Sequence, residues 1–220
     1  MEKFLREKKD VALTGNFTKW YDKTSRENRM EELVGYAKKI AVLVQPGAVI
    51  LEAAPGPGYV AIELAKMGYS VTGMDLSADF IEICKANAAR ERATVDFVQG
   101  NVSSMPFDEN KFDFLFCSAA FKNFHDPASA LREMYRVLKP GGKGLILDMN
   151  KDTTAATRKA AVDKMNLGFF NRLFMAFSFA FILRDGAYRK SDFEAMLAAS
   201  PFEKWNIEES GISLYVYLYK

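Results

Sequence analysis

The sequence has few of the residues that form cross-links or bind metals. It contains two cysteines, Cys84 and Cys117, and one histidine, His125, in 220 residues. Neither cysteine has metal-ligand spacing around it, so the sequence predicts no disulfide framework and no metal site. Two isolated thiols fit a reducing compartment, and we expect a cytoplasmic protein.

A strong charge excess and a long apolar run are also missing. The formal net charge is +2, whereas a nucleic-acid-binding surface would need a dense basic region, so no nucleic-acid partner is expected. The longest apolar stretch, residues 173–183, is about half the ~20 residues that a membrane-spanning helix needs. Because 49% of the residues are hydrophobic, the sequence predicts a globular protein without a transmembrane segment.

A glycine-rich turn at residues 49–59 organises the sequence, which reads V-I-L-E-A-A-P-G-P-G-Y there. An apolar stretch ends at Glu52, a turn contains Gly56 and Gly58, and helical periodicity follows. In an α/β sheet such a turn lies at the carboxyl end of the first strand, where a ligand can approach the backbone and a helix N-terminus. A nucleotide-like ligand is the first hypothesis, and a turn that serves packing alone is the alternative.

Strands and helices alternate up to residue 149. This alternation predicts a doubly wound, mostly parallel sheet with helices on both faces. Residues 202–208 and 212–219 break the alternation, and the second of these stretches has apolar residues at every other position. The end of the chain therefore predicts an antiparallel hairpin.

Further patterns carry a resemblance to a known family. Asp75 ends the predicted second strand, 23 positions after Glu52, and the third strand runs into G-N-V-S-S-M-P-F at residues 100–107. Residues 130–142 read A-L-R-E-M-Y-R-V-L-K-P-G-G. Over residues 49–149 the sequence resembles the class I S-adenosylmethionine-dependent methyltransferases, nearest the ubiquinone and menaquinone C-methyltransferases. The resemblance implies a Rossmann-like sheet of seven strands with a C-terminal antiparallel hairpin, and S-adenosyl-L-methionine as the cofactor.

The resemblance also assigns cofactor-binding roles at the ends of the first four strands. The residues concerned are Glu52, Ala54, Gly56, Gly58, Asp75, Leu76, Asn101, Val102 and Ser118. Asp75 is expected to accept hydrogen bonds from two ribose hydroxyls, and a surface aspartate that merely ends a strand is the alternative. Ala54 replaces the family's first glycine, and we interpret it as tolerated because its φ is negative. Asn101 replaces a common acidic residue, and it either accepts from the adenine amine or caps the local turn.

The catalytic residues are harder to identify from the sequence. The methyl group of the cofactor is already electrophilic, so the protein has to align the acceptor and exclude water. If the acceptor must lose a proton, His125 is the candidate base, because it follows the fourth strand. Tyr21 is a second candidate, on a segment expected to fold over the cofactor. For each of them, a packing role is an equal alternative.

The sequence predicts four regions: an N-terminal arm or lid (1–24), the cofactor-binding core (25–149), a helical lid insert (150–190) and a closing helix with hairpin (191–220). Six of the 18 phenylalanines lie within residues 169–181. A helix that is apolar nearly all round predicts either a small apolar or aromatic acceptor beneath it or a homodimer interface.

The expected function is methyl transfer to a small, apolar or aromatic molecule. A cofactor-binding protein of the same fold without turnover and a methyltransferase acting on another class of small molecule are the alternatives. A nicotinamide oxidoreductase is disfavoured because the turn lacks G-x-G-x-x-G.

Overall fold

One seven-stranded sheet forms the centre of the protein. The computed structural model describes residues 12–163 and 186–220. The strands are β1 Val49–Ala53, β2 Ser70–Asp75, β3 Asp96–Gln99, β4 Phe112–Ser118, β5 Leu138–Met149, β6 Lys204–Ser210 and β7 Ser213–Tyr219. The helices in these ranges are α1 Asn16–Asn28, α2 Met30–Leu43, α3 Tyr59–Lys66, α4 Ala78–Glu91, α5 Pro127–Val137, α6 Ala155–Asp163 and α7 Lys190–Ala198.

The strand order is β3-β2-β1-β4-β5-β7-β6. The first five strands are parallel to one another, whereas β7 is antiparallel to both β5 and β6. The predicted Rossmann-like sheet with a C-terminal hairpin is thus confirmed. The strand order reverses between β1 and β4. At such a reversal the loops that follow the two adjacent strands run to opposite sides, which leaves a crevice at the carboxyl ends of the strands.

Helices cover both faces of the sheet, because the strands bury side chains on both sides. In β1, Leu51 belongs to the core beneath α5 and α7, whereas Ile50 belongs to the core beneath α2, α3 and α4. The hairpin completes the first of these cores, since β7 buries alternate residues, Leu214, Val216 and Leu218. These two apolar layers hold the strand ends in fixed positions, and the crevice lies above them.

Two elements begin earlier than their sequence patterns indicate. Helical periodicity is clear only from Ser25, yet α1 begins at Asn16 and ends at Asn28. The buried residues of α1 are Thr18 and Ser25, both polar, so apolar periodicity cannot reveal this helix. Likewise, the sequence indicates a strand only from residue 143, after the Pro-Gly-Gly sequence, yet β5 begins at Leu138. A register shift against β4 accommodates the Pro-Gly-Gly sequence within the strand.

The Phe-rich stretch at residues 169–181 lies outside the described residues, as do residues 1–11. The division into four regions stays a prediction. Of the insert, the structure describes α6 and a bridge that pairs Asn150 with Tyr188. No helix within 12–163 or 186–220 has the length and apolar character to cross a bilayer.

A substitution at Gly58 tests how tightly the start of α3 packs against α4 and β3. Gly58 has φ +81, and a Cβ added to it would lie 2.9 Å from Cys84 Sγ and 3.0 Å from Phe97 Cζ. We expect Gly58→Ala to lower the free energy of unfolding by about 2–4 kcal/mol, because backbone strain and overpacking add. Gly47→Ala is the matched control, since Gly47 has φ +76 and nothing within 4 Å of an added Cβ. Urea denaturation measures both variants, and equal losses would contradict the packing assignment.

Candidate active site

A cavity of about 490 Å³ opens at the carboxyl ends of β1, β2 and β4. Its volume lies within the roughly 300–1,000 Å³ of small-molecule sites. The loop after β3 and the N-terminal segment complete its wall. The cavity brings together nine of the eleven residues that the sequence singles out: Tyr21, Glu52, Ala54, Gly56, Asp75, Leu76, Asn101, Val102 and Ser118.

Asp75 connects the first loop to the second strand. It is 7% exposed, its Oδ2 accepts from the Gly56 N–H at 3.1 Å, and its Oδ1 accepts from the Ser77 N–H at 2.9 Å. The carboxylate also faces the cavity, where it can accept hydrogen bonds from hydroxyl donors of a ligand. Burial raises the pKa of Asp75, and the backbone hydrogen bonds oppose that rise.

The conformation of the loop after β1 contradicts one interpretation of the sequence. Ala54 has φ +56, so the expectation of a negative φ is wrong. The reason is that the Ala54 N–H extends the β1–β2 ladder to Met74 O at 2.7 Å, after which the chain reverses within a short turn. A left-handed alanine costs about 1–2 kcal/mol relative to an unstrained one.

The two glycines of the loop do different things. Gly56 lines the cavity, and a Cβ added to it would lie 3.6 Å from Tyr21 Cε1. Gly58 is not among the lining residues, although the resemblance assigns it to cofactor binding. It is the N-cap of α3 and lies against Cys84 and Phe97, so packing explains why it has no side chain.

Glu52 lies at the base of the cavity. It is 2% exposed, and its Oε2 accepts from the Ala61 N–H in the first turn of α3 at 2.7 Å. Burial raises the pKa of Glu52 to about 8. Burial thus favours the neutral acid, whereas the hydrogen bond from the Ala61 N–H favours the carboxylate.

The loop after β3 contributes Asn101 and Val102. Asn101 Oδ1 accepts from the Ser103 N–H at 2.8 Å, so this side chain does cap its local turn, which was one of the two alternatives. Recognition of adenine by Asn101 stays a prediction. Val102 is buried and Leu76 is partly buried, and both give the cavity an apolar surface.

The N-terminal segment forms one wall of the cavity, and the sequence predicts only some of the residues in this wall. Tyr21, Ser25 and Arg29 all line the cavity, and Arg29 Nη1 donates to Tyr21 Oη at 2.9 Å. Arg29 was missed because it lies at the junction of α1 and α2, and α1 gives no apolar signal. A guanidinium in this position could bind a carboxylate, such as that of a methionine moiety.

Side-chain hydrogen bonds hold this segment to the core. Asp22 Oδ1 accepts from Tyr59 Oη and from Asn87 Nδ2, each at 2.8 Å. Ser77 Oγ donates to Leu13 O. Asp22 thereby joins α1 to both α3 and α4, which explains why Tyr21 lies over the glycine loop.

His125 lies apart from the cavity lining. It is half-buried, and its neighbours Asn123 and Phe124 line the cavity instead. The chain becomes extended at Phe124 and then enters α5, whose N-cap is Asp126. Its role as a base stays a prediction.

The cysteines and the potential metal ligands of residues 12–163 and 186–220 show no sign of a second reactive site. Both cysteines are free and buried, and burial raises the pKa of each thiol, so neither is a ready nucleophile. The parts of the chain that the structure describes contain no group of three or more potential metal ligands.

The fold and the cavity together define a Rossmann-like protein with a site for a nucleotide-like ligand. A family model for a methyltransferase domain matches residues 51–146. The demethylmenaquinone methyltransferase of Staphylococcus aureus is 31% identical over 166 residues, which are 72% of this chain and 68% of that protein. The demethylmenaquinone methyltransferase of Renibacterium salmoninarum is 34% identical over 113 residues, which are 51% of this chain and 46% of the relative. The chain therefore spans about half the length of this relative.

A solved structure shows the same fold. It is a protein of Methanococcus maripaludis, provisionally assigned as an S-adenosyl-L-methionine-dependent methyltransferase, with a TM-score of 0.75 and 23% identity over 96% of both chains. The present chain belongs to the class I S-adenosylmethionine-dependent methyltransferases, near the quinone methyltransferase group. This membership implies S-adenosyl-L-methionine as the cofactor.

Replacing Ala54 by glycine tests the strain in the first loop. We expect Ala54→Gly to raise the free energy of unfolding by up to about 1 kcal/mol, since relief of the left-handed strain outweighs the entropy that glycine adds to the unfolded chain. The matched control is Ala120→Gly, because Ala120 has φ −122 and gains no such relief. Urea denaturation of both variants is the measurement, and destabilisation by both would refute the strain.

Replacing Glu52 by glutamine tests its protonation. The pKa of Glu52 is raised from 4.5 in the ordinary state to about 8 in the fold, so its contribution to stability is fully present below pH 4.5 and is lost as the pH rises through 8. Glutamine can still accept from the Ala61 N–H but cannot ionise. We expect wild type to lose more stability than Glu52→Gln between pH 5 and 8.5, by about 2 kcal/mol or more. If the free energies of unfolding of wild type and Glu52→Gln change equally with pH in urea denaturation, the raised pKa of Glu52 is contradicted.

Proposed function

We propose that this protein transfers a methyl group from S-adenosyl-L-methionine to a small apolar or aromatic acceptor, a class that includes demethylated menaquinones. The observation that carries the proposal is the convergence of Glu52, Asp75 and Asn101 on one cavity, from the ends of three neighbouring strands. The names of the curated relatives support the quinone class of acceptor.

The residues present fit an adenosyl ligand. The Asp75 carboxylate lines the cavity and can accept from the ribose hydroxyls, and the Gly56 backbone is open to close approach. Leu76 and Val102 supply apolar surface for the adenine ring, and the nearby Asn101 amide group can hydrogen-bond to its edge. We expect Arg29, whose Nε also pairs with Glu32 Oε2 at 2.9 Å, to bind the carboxylate of the methionine part.

Bound S-adenosyl-L-methionine supplies a methyl group that is already electrophilic. The chain's own residues then have to align the acceptor and keep water away, which can account for several kcal/mol of the barrier. Tyr21 covers the glycine loop from one side, and Asp22 keeps the N-terminal segment closed over the cavity.

The lining that follows β4 supports an uncharged acceptor. After Ser118, which ends β4 and is predicted to bind the cofactor, the residues that line the cavity are Ala119, Ala120, Asn123 and Phe124. None of these side chains carries a charge, and Phe124 offers an aromatic surface. An apolar or aromatic ring would bind there without burying an unpaired ion.

A protein that binds the cofactor without turnover is the second candidate. The strained Ala54, and Asn101, whose Oδ1 accepts from the Ser103 N–H, both favour it, because each departs from the residue that is usual in the family at this place. A cytoplasmic location, a homodimer through the Phe-rich stretch and the role of His125 all remain predictions.

Calorimetry with S-adenosyl-L-methionine tests the cofactor site. We expect Asp75→Ala to weaken binding by about 100-fold or more, because it removes two hydrogen bonds to a charged acceptor. Asp113→Ala is the matched control, since Asp113 also lies in a strand but accepts from Val49 N and Lys139 Nζ, away from the cavity lining. Unchanged binding by Asp75→Ala would disprove the ribose assignment.

An assay of methyl transfer to a short-chain demethylmenaquinol separates the two candidate functions. Transfer from the bound cofactor supports the proposal. Tight cofactor binding without transfer to this quinol or to a panel of other small acceptors favours the second candidate. His125→Ala belongs in the same assay: unchanged cofactor affinity with slower transfer is the result expected of a base.

A further inference from the structure

The turn after β4 presents different residues to the cavity and to the core. Ser118, Ala119, Ala120 and Asn123 line the cavity. The side chain of Lys122, which lies within the 3-10 turn Phe121–Asn123, is instead 7% exposed and directed at β5. A lysine is rarely buried without a specific partner, so its placement calls for an explanation.

Lys122 is bound to Asp148 of β5 at two points. Its Nζ lies 2.9 Å from Asp148 Oδ1, and its backbone N–H donates to Asp148 Oδ2, also at 2.9 Å. The Asp148 side chain is 2% exposed and its Oδ1 also accepts from the Met149 N–H at 2.7 Å. Desolvation offsets much of the attraction in such a buried pair, so general stability does not account for it.

The same ammonium group also holds a strained residue. Lys122 Nζ donates to Ala119 O at 2.6 Å, and the Ala119 N–H donates to Leu147 O of β5 at 2.8 Å. Ala119 has φ +54, a left-handed conformation that alanine disfavours. Strained residues that the surrounding structure holds in place are concentrated at functional sites. Both polar backbone groups of this strained residue are thus fixed by β5 or by a side chain bound to β5.

We propose that Lys122 and Asp148 form a positioning pair that holds Ala119 in its left-handed conformation and so fixes the acceptor side of the cavity. The inference rests on the proposed function, because that function makes this turn the surface on which the acceptor lies. Without the ammonium group, Ala119 relaxes towards negative φ, and the residues on either side of it shift. Apart from Ser118, the predicted cofactor contacts lie after β1, β2 and β3 and not on this turn, so the pair affects transfer more than cofactor affinity.

Four variants separate positioning from general stability. Lys122→Met removes the ammonium group and keeps most of the aliphatic stem, and Lys122→Arg is the conservative variant. Lys122→Met with Ala119→Gly tests the link to backbone strain, because glycine adopts a positive φ readily. Lys139→Met is the matched control, since Lys139 pairs with Asp113 at 2.8 Å and is 38% exposed. Should Lys122→Met alone fail to fold, Lys122→Met with Asp148→Asn removes both charges together.

Hydrogen exchange measured by mass spectrometry is the first readout. We expect Lys122→Met to speed exchange across residues 118–124 by about tenfold or more, with little change across β1. Lys122→Arg and the addition of Ala119→Gly should restore slow exchange, and Lys139→Met should leave it unchanged. Equal acceleration in β1, or no recovery with Ala119→Gly, would overturn the proposal. This readout decides the question even if the protein transfers no methyl group.

Ligand measurements supply the second readout. We expect Lys122→Met to keep the calorimetric Kd for S-adenosyl-L-methionine within about threefold of wild type and to slow single-turnover transfer to a short-chain demethylmenaquinol by about 100-fold. A parallel loss of cofactor affinity would overturn the proposal. If wild type binds the cofactor but transfers to no acceptor, the proposed function fails, and the exchange result still tests the pair.

Discussion

The two backbone hydrogen bonds accepted by Asp75 are the constraint on which the cavity depends. They join the loop after β1 to the start of α4, so that the ends of two strands and the N-terminus of a helix form one unit. Ser77 extends this unit: its Oγ accepts from the Phe80 N–H as the N-cap of α4 and donates to Leu13 O. One carboxylate therefore organises both the sheet side of the cavity and the attachment of the N-terminal segment. Because the carboxylate is buried, these bonds are shielded from competition by water.

The cavity wall has two parts with different origins. The strand ends are held by the apolar layers on both faces of the sheet, and their geometry follows from the parallel ladder. The turn after β4 and the N-terminal segment are held by polar side chains, namely Lys122, Asp148 and Asp22. A change of acceptor could therefore arise in the second part while the cofactor contacts stay the same.

The sequence predicts the strand ends well, because parallel strands place their carboxyl ends along one edge of the sheet. The positions of Glu52, Asp75 and Asn101 at the cavity follow directly from this rule. The sign of φ at Ala54 does not follow, since it depends on the path of the loop after its last ladder hydrogen bond. The glycine pattern also cannot distinguish Gly56, which lines the cavity, from Gly58, which packs against α4.

The polar side-chain contacts that hold α1 and the turn after β4 cannot be predicted from the sequence. The buried positions of α1 are Thr18 and Ser25, so the helix that carries Tyr21 shows no apolar stripe. Lys122 would be assigned to the surface by its residue type, and only the structure brings it next to Asp148. Such pairs join segments that are far apart in the chain, so neither periodicity nor composition predicts them.

The high pKa of Glu52 has a consequence for ligand exchange. A cationic ligand in the cavity favours the ionised form of a nearby carboxyl group and so lowers its pKa. By thermodynamic linkage, binding of such a ligand then favours release of the Glu52 proton, and loss of the positive charge from the cavity favours its return. The buried acid beneath the glycine loop would thus make the occupancy of this cavity sensitive to the charge of its ligand.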